Sequence, residues 1–186
     1  GDATKSSINN KILSNLPEDE YLRLLPHLEP VELPHGKVLY EINDSITHLY
    51  FPSGALISLV TEMDDGKIVE VGLMGRKTSY ERAIVQIPDG GVRVSLTKMQ
   101  EEFDKGQSLH KRLLYYMTSL IRQVSQTAAC NASHTTEERL SRWLLMCADR
   151  IGATDLNLTQ EFLGEMLGTR RGTVNVAATT LQSASL

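Results

Sequence analysis

The period of the hydrophobic pattern changes once along this chain, at Thr97, and that change limits the fold more than any other feature. Before it, apolar residues recur in short alternating runs: HLYF, ALISLV, KIVEVGLM, ERAIVQI and VRVSL. Alternation places every second side chain on one face of a half-buried strand. Turn residues separate the runs, with PSG at 52–54, DDG at 64–66 and PDGG at 88–91. Asp-Gly between alternating runs predicts a hairpin, because both residues accept positive φ. Several short strands at this spacing predict an antiparallel roll or barrel. Ahead of them, PEDEYLRLL predicts a short helix that begins with Pro17 at its first position.

After Thr97 the pattern is helical. TKMQ offers a capping box, Thr97 as cap and Gln100 three residues on. Beyond Gly106, SLHKRLLYYMTSLIRQVSQTAAC reads as one long helix. Leu113, Met117, Leu120, Val124 and Thr127 follow one another at alternate steps of four and three, the spacing of a seam between paired helices. Leu109, Tyr116 and Ile121 make the opposite side apolar as well. A helix apolar on two sides needs two partners, here its own domain and a second copy. The simpler reading is one amphipathic helix on the sheet of its own chain. TTEERLSRWLLMCADRI predicts a further helix, with a Thr135–Glu138 capping box and a face of Leu140, Trp143, Leu144 and Cys147. Cys147 and Cys130 read as small core hydrophobes, since two cysteines outside a CxxC pair make no disulfide framework.

The stretch LTQEFLGEMLGTRRGTVNVAATTLQ predicts two helices around a tight corner. Thr159 caps the first, whose buried face is Phe162, Leu163, Met166 and Leu167. Gly168 supplies the positive φ that ends it, and Thr169 is placed to cap the second. Val174, Ala177, Ala178 and Leu181 form the inner face of that second helix. This is helix–turn–helix geometry, in which the second helix enters the major groove N-terminus first. The residues aimed at DNA are then Thr159, Gln160, Arg170, Arg171, Gly172, Thr173, Asn175 and Val176. Arginine forks onto guanine, asparagine onto adenine, and a valine or threonine methyl meets a thymine methyl.

Charge tempers that expectation. The chain of 186 residues carries a formal charge of −4, so it has no general affinity for nucleic acid, although a local basic face suffices for a specific reader. From Asn131 onward, five arginines (139, 142, 150, 170, 171) meet six carboxylates (137, 138, 149, 155, 161, 165). The phosphate contribution and the salt dependence are therefore expected to be modest. With 41% hydrophobic residues the chain can build a sizeable core. Apolar runs stay far short of the ~20 residues of a membrane span, and the reading is of a soluble, cytoplasmic protein without signal peptide or membrane partner.

HLYFPSGALISLV with DDGKIVEVGLMGR, then QVSQTAACNASHTTEERLSRWLLM, then LTQEFLGEMLGTRRGTV together resemble the Crp/Fnr family of bacterial transcription regulators. The resemblance covers most of the chain. It implies an α+β fold: an N-terminal antiparallel β-roll (a jelly-roll-like double-stranded β-helix) as sensor over 1–98, a dimerisation helix over 99–130, and a winged helix–turn–helix domain over 131–186. It implies a homodimer joined through Leu113, Met117, Leu120, Val124 and Thr127, a near-palindromic double-stranded operator, and RNA polymerase as a further partner. It implies no enzyme activity. The effector is unknown.

Three departures qualify the resemblance. The family's phosphate cassette is missing between Arg76 and Lys77, leaving Glu81-Arg82-Ala83, which argues against cyclic AMP or cyclic GMP. Gly172 and Val176 stand where the family's reading helix has Glu and a second Arg, so the operator should differ. The sequence ends before the wing. The pattern has neither the N-terminal cysteines of an iron–sulfur regulator nor the features of a haem regulator. A competing reading is an effector-binding or protein-interaction module that has lost DNA binding. A third is a cupin-type enzyme, which would need clustered His and acid ligands, and His27, His35 and His48 are not so spaced.

Overall fold

The computed structural model describes residues 9–62, 68–70, 81–152, 155–156 and 158–183. Two short helices, α1 (Lys11–Ser14) and α2 (Glu18–Leu24), lead into the strands. Pro17 takes the capping position rather than the first helical one, and the acids Glu18, Asp19 and Glu20 fill the first turn, where the helix dipole favours them. Among the described residues seven strands follow: β1 (Glu29–Leu33), β2 (Val38–Tyr40), β3 (His48–Pro52), β4 (Leu56–Glu62), β5 (Ile68–Glu70), β6 (Arg82–Ile87) and β7 (Asp89–Ser95). They form two antiparallel sheets, β1-β7-β3 and β2-β6-β4-β5. Every run read as a strand contains one. β4 and β5 pair antiparallel, Val60 with Glu70 and Glu62 with Ile68, as the DDG signal predicts. The turn itself, the cassette position at 76–77 and the chain end at 184–186 lie outside the described residues.

PDGG proves not to be a hairpin. Asp89, Gly90 and Gly91 belong to β7, and β6 and β7 lie in different sheets, so the chain crosses between sheets at Pro88. Gly91 sits mid-sheet between Val31 and Pro52. A Cβ there would lie 2.7 Å from the carbonyl oxygen of Phe51, so the position needs glycine for close approach rather than for a turn.

Four main helices complete the described chain beside α3 (Leu96–Asp104): α4 (Ser108–Ser133), α5 (Thr136–Ile151), α6 (Gln160–Met166) and α7 (Arg171–Ser183). The expected Thr97–Gln100 box is absent. Ser95 caps α3 instead, accepting from the Lys98 amide at 3.2 Å, because the helix starts two residues earlier than the pattern suggests. The Thr135–Glu138 box on α5 forms in both directions.

The N-terminus of α4 has a cap that lies far away in sequence. Glu20, buried on α2, accepts from the amides of Ser108 at 2.9 Å and Leu109 at 2.8 Å. Two of the helix's orphan donors are thereby satisfied from another element. Next to it, Glu102 on α3 is 2% exposed and bonds to Lys105, Lys98 and Arg23 at 2.6, 3.1 and 3.1 Å. Burial works to raise the Glu102 pKa, and hydrogen bonds from those three cations overcome it and bring the carboxyl down to about 2. A carboxyl lowered on folding stabilises fully above its unfolded value, about 4.3, and that contribution is lost as pH falls toward 2. Titrating wild type against Glu102→Gln by urea unfolding should reveal a wild-type loss on the order of 1–3 kcal/mol between pH 5 and 2 that the variant lacks. Parallel acid limbs would refute the assignment.

Three apolar clusters organise the interior. One joins α1, α2, β3, β7, α3 and the start of α4 through Leu13, Leu24, Phe51, Val94, Met99 and Leu109. A second fills the roll with Leu33, Ala55 and Val85. The third belongs to the C-terminal helices, Leu140, Trp143, Cys147, Phe162, Leu163, Val174 and Ala177, and takes in Val60, Leu56 and Ile84 from β4 and β6. Strand alternation permits this, because Ile57 and Val85 serve the roll while Val60 and Ile84 serve the helices. The helical unit therefore rests directly on the four-stranded sheet. Cys130 and Cys147 are both buried, as expected of core residues.

Candidate nucleic-acid interface

The corner between α6 and α7 is built by backbone hydrogen bonds. Thr159 caps α6, accepting from the Phe162 amide at 3.2 Å. At the other end the Gly168 amide bonds to the Glu165 carbonyl at 3.0 Å and the Thr169 amide to the Gly164 carbonyl at 2.9 Å. With Gly168 at φ 59°, this pair is a Schellman closure. Thr169 is not the cap of α7, because the helix begins at Arg171. Arg170 takes that place, its carbonyl accepting from the amides of Thr173 and Val174 at 2.9 and 3.2 Å. Gly164, which the sequence reading passed over, permits the closure: a Cβ there would stand 3.0 Å from the Thr169 oxygen.

Val174 and Ala177 are fully buried against α5 and α6, with Ala178 and Leu181 packed beside them. The opposite face of α7 is open. Arg170, Arg171, Gly172, Thr173, Asn175 and Val176 are all exposed, as are Thr159 and Gln160 at the start of α6. The eight residues read as DNA-facing are thus all open to solvent, and Gln160 and Asn175 meet across the corner. Further along α7 the hydroxyls of Thr179, Thr180 and Ser183 donate to the carbonyls of Asn175, Val176 and Thr179. Their donors are spent within the helix, so the uncommitted polar groups of α7 concentrate in its first two turns.

The arginines divide by role. Arg139 donates to the Leu167 carbonyl and pins the end of α6. Arg142 donates to Thr127 Oγ1 at 3.2 Å and Arg150 to Gln123 Oε1, and both strap α5 to α4. Only Arg170 and Arg171, among the described residues from Asn131 onward, are arginines with no internal bond recorded for the guanidinium. The sequence could count five arginines but could not tell ties from free cations. Arg82, at the remnant of the cassette, is also engaged, its Nε donating to Glu41 at 2.8 Å. Its neighbour Glu81 is buried, and that burial raises its pKa.

The long helix buries part of its apolar surface within its own chain and leaves the rest exposed. Leu109 is buried and Leu113 packs on the cluster beside the roll, while Thr127 faces Arg142. Leu114, Tyr115, Tyr116, Met117 and Ile121 are exposed. Of the predicted seam, Met117 is open and Leu120 and Val124 are partly buried.

Residues 138–186 match the Crp-like helix–turn–helix domain family. The fold is that of the c-di-GMP-responsive global regulator CLP of Xanthomonas campestris, with TM-score 0.70 and 18% identity over 91% of this chain and 94% of that one. Residues 138–186 thus match a Crp-like helix–turn–helix domain, and the chain shares its fold with that regulator. FixK2 of Bradyrhizobium japonicum is similar as well, with TM-score 0.70 and 16% identity over 85% of this chain and 86% of the other. So is a Crp/Fnr-family transcriptional regulator from Eubacterium rectale, with TM-score 0.69 and 14% identity over 94% and 87%. A search of curated protein sequences finds no match. Within the Crp/Fnr architecture, α6 and α7 form the helix–turn–helix pair, and no helix among the described residues is long and apolar enough to cross a membrane.

Proposed function

We propose that the chain is one half of a homodimeric, sequence-specific DNA-binding transcription regulator, in which the β-roll receives an effector and α7 reads the major groove. The observation that carries this is the open, cationic start of α7: Arg170 and Arg171 stand exposed where the other three arginines of the unit are tied down. The start of a helix also favours phosphate through its free amides. Its partner is near-palindromic duplex DNA, with RNA polymerase a second partner for an activator, and such work places the chain in the cytoplasm.

The dimer seam belongs on α4. Leu114, Met117 and Ile121 are exposed, and with Val124 and Ala128 they repeat at alternate steps of three and four. This series shares Met117 and Val124 with the expected one but sits one residue over at Leu114 and Ile121, since Leu113 and Thr127 serve their own chain. A dimer presents its reading helices to half-sites about 34 Å apart. Arg142 and Arg150 couple α4 to the reading unit, and Val60 and Ile84 couple the sheet to it. A change in the roll or along α4 thereby alters the spacing of the two α7 helices and the fit to DNA.

Arg171→Ala should weaken binding to a selected operator by about 1–3 kcal/mol, measured by fluorescence anisotropy. With two free arginines per protomer, the slope of log K against log salt should be no steeper than about −4. Unchanged affinity in the variant would remove Arg171 from the interface. The alternative of a module without DNA binding draws on the excess of carboxylates in this unit, and genomic footprinting of the protein separates the two.

A further inference from the structure

We infer that Gln160 and Asn175 act as one base-reading unit, Asn175 contacting an adenine in the major groove and Gln160 holding its amide in the productive orientation. The inference rests on the DNA-binding reading above and adds a base preference and a positioning residue to it. Gln160 opens α6, and Asn175 lies one turn beyond Arg171 on the exposed side of α7. Gln160 Nε2 donates to Asn175 Oδ1 at 3.0 Å.

The bond leaves the right groups free. It uses one lone pair of Oδ1 and one N–H of the glutamine. Asn175 keeps both N–H donors and a second lone pair, which are what adenine N7 and N6 require. Gln160 acts here through Asn175 and makes no base contact of its own. An asparagine held in this way has lost its rotamer freedom before DNA arrives, so that cost is removed from binding.

A tether between the helices is the plainer role, but the helices do not need one. Phe162, Leu163, Val174 and Ala177 already bury the contact between them, and a hydrogen bond between two exposed side chains adds little stability. The surroundings also suit a base edge. A Cβ at Gly172 would meet nothing within 4 Å, so no side chain obstructs that stretch of the face. Val176, 63% exposed, stands beside Asn175 and offers its methyls to a thymine. An A·T step flanking the Arg171 contact follows from this layout.

The test begins with selection of a preferred duplex by the full chain from a random library, followed by binding of wild type, Asn175→Ala, Gln160→Ala, Gln160→Glu and the double alanine variant. Each is measured on the selected duplex and on duplexes with single adenines replaced by 7-deazaadenine, which lacks N7. Wild type should lose about 5–150-fold on one such duplex. Asn175→Ala should lose as much on the unmodified duplex and become blind to the deaza change at that step. Gln160→Ala and Gln160→Glu should weaken the same step's discrimination with thermal midpoints unchanged, and the double variant should be no worse than Asn175→Ala alone. Additive losses, or an Asn175→Ala loss equal on all duplexes, overturn the pair while leaving the DNA-binding reading intact. A wild-type protein that selects no sequence overturns both.

Discussion

Replacing Leu114 and Ile121 together by aspartate should leave the protein monomeric and lower its affinity for a two-half-site operator by about 10²–10⁴-fold. Both residues are exposed, 45% and 49%, so the charges cost little in the isolated chain. In the proposed dimer the same charges would lie in an apolar seam opposite their own copies, where unpaired carboxylates are expensive. Binding at one half-site raises the effective concentration at the second only while the two reading helices are joined. Sedimentation equilibrium and anisotropy on full and half operators check both parts. A double variant that stays dimeric and binds as tightly as wild type would move the seam elsewhere on the molecule.

Trp143→Ala should cost about 3–5 kcal/mol of stability. Trp143 is 5% exposed on α5, and its ring meets Phe162 of α6 edge-on at 5.6 Å between centroids. Around it lie Leu140, Cys147, Val174 and Ala177, and Val60 reaches the same cluster from β4. The cavity would therefore open where the reading unit meets the roll, and partial collapse would shift α6 and α7. Urea unfolding followed by circular dichroism gives the stability. A loss below about 1 kcal/mol would contradict a shared core, because such deletions rarely cost so little in a well-packed site.

Thr135–Glu138 and Thr159 were legible as caps because a cap bonds within three residues of itself. Thr169 was misread because α7 begins at Arg171, one residue later than the sequence suggests, and only the closed turn at Gly168 sets that start. PDGG carried the composition of a turn, yet Gly90 and Gly91 serve a strand held between β1 and β3. The face residues from Arg170 to Val176 were readable from helical period, whereas the Gln160–Asn175 bond spans two helices and has no sequence signature.

Pattern within the chain determined five of the seven strands described, the long helix, the capped α5 and the two-helix corner with its inner and outer faces. Each depends on periodicity or on bonds between near neighbours, and those survive in a linear string. Tertiary structure alone decided that Glu20 caps α4 across 88 residues. It also decided that Arg139, Arg142 and Arg150 are ties rather than ligands, and that Val60 and Ile84 look toward the helices. These outcomes depend on which surfaces meet in space, and a side chain's chemistry is the same before and after that meeting.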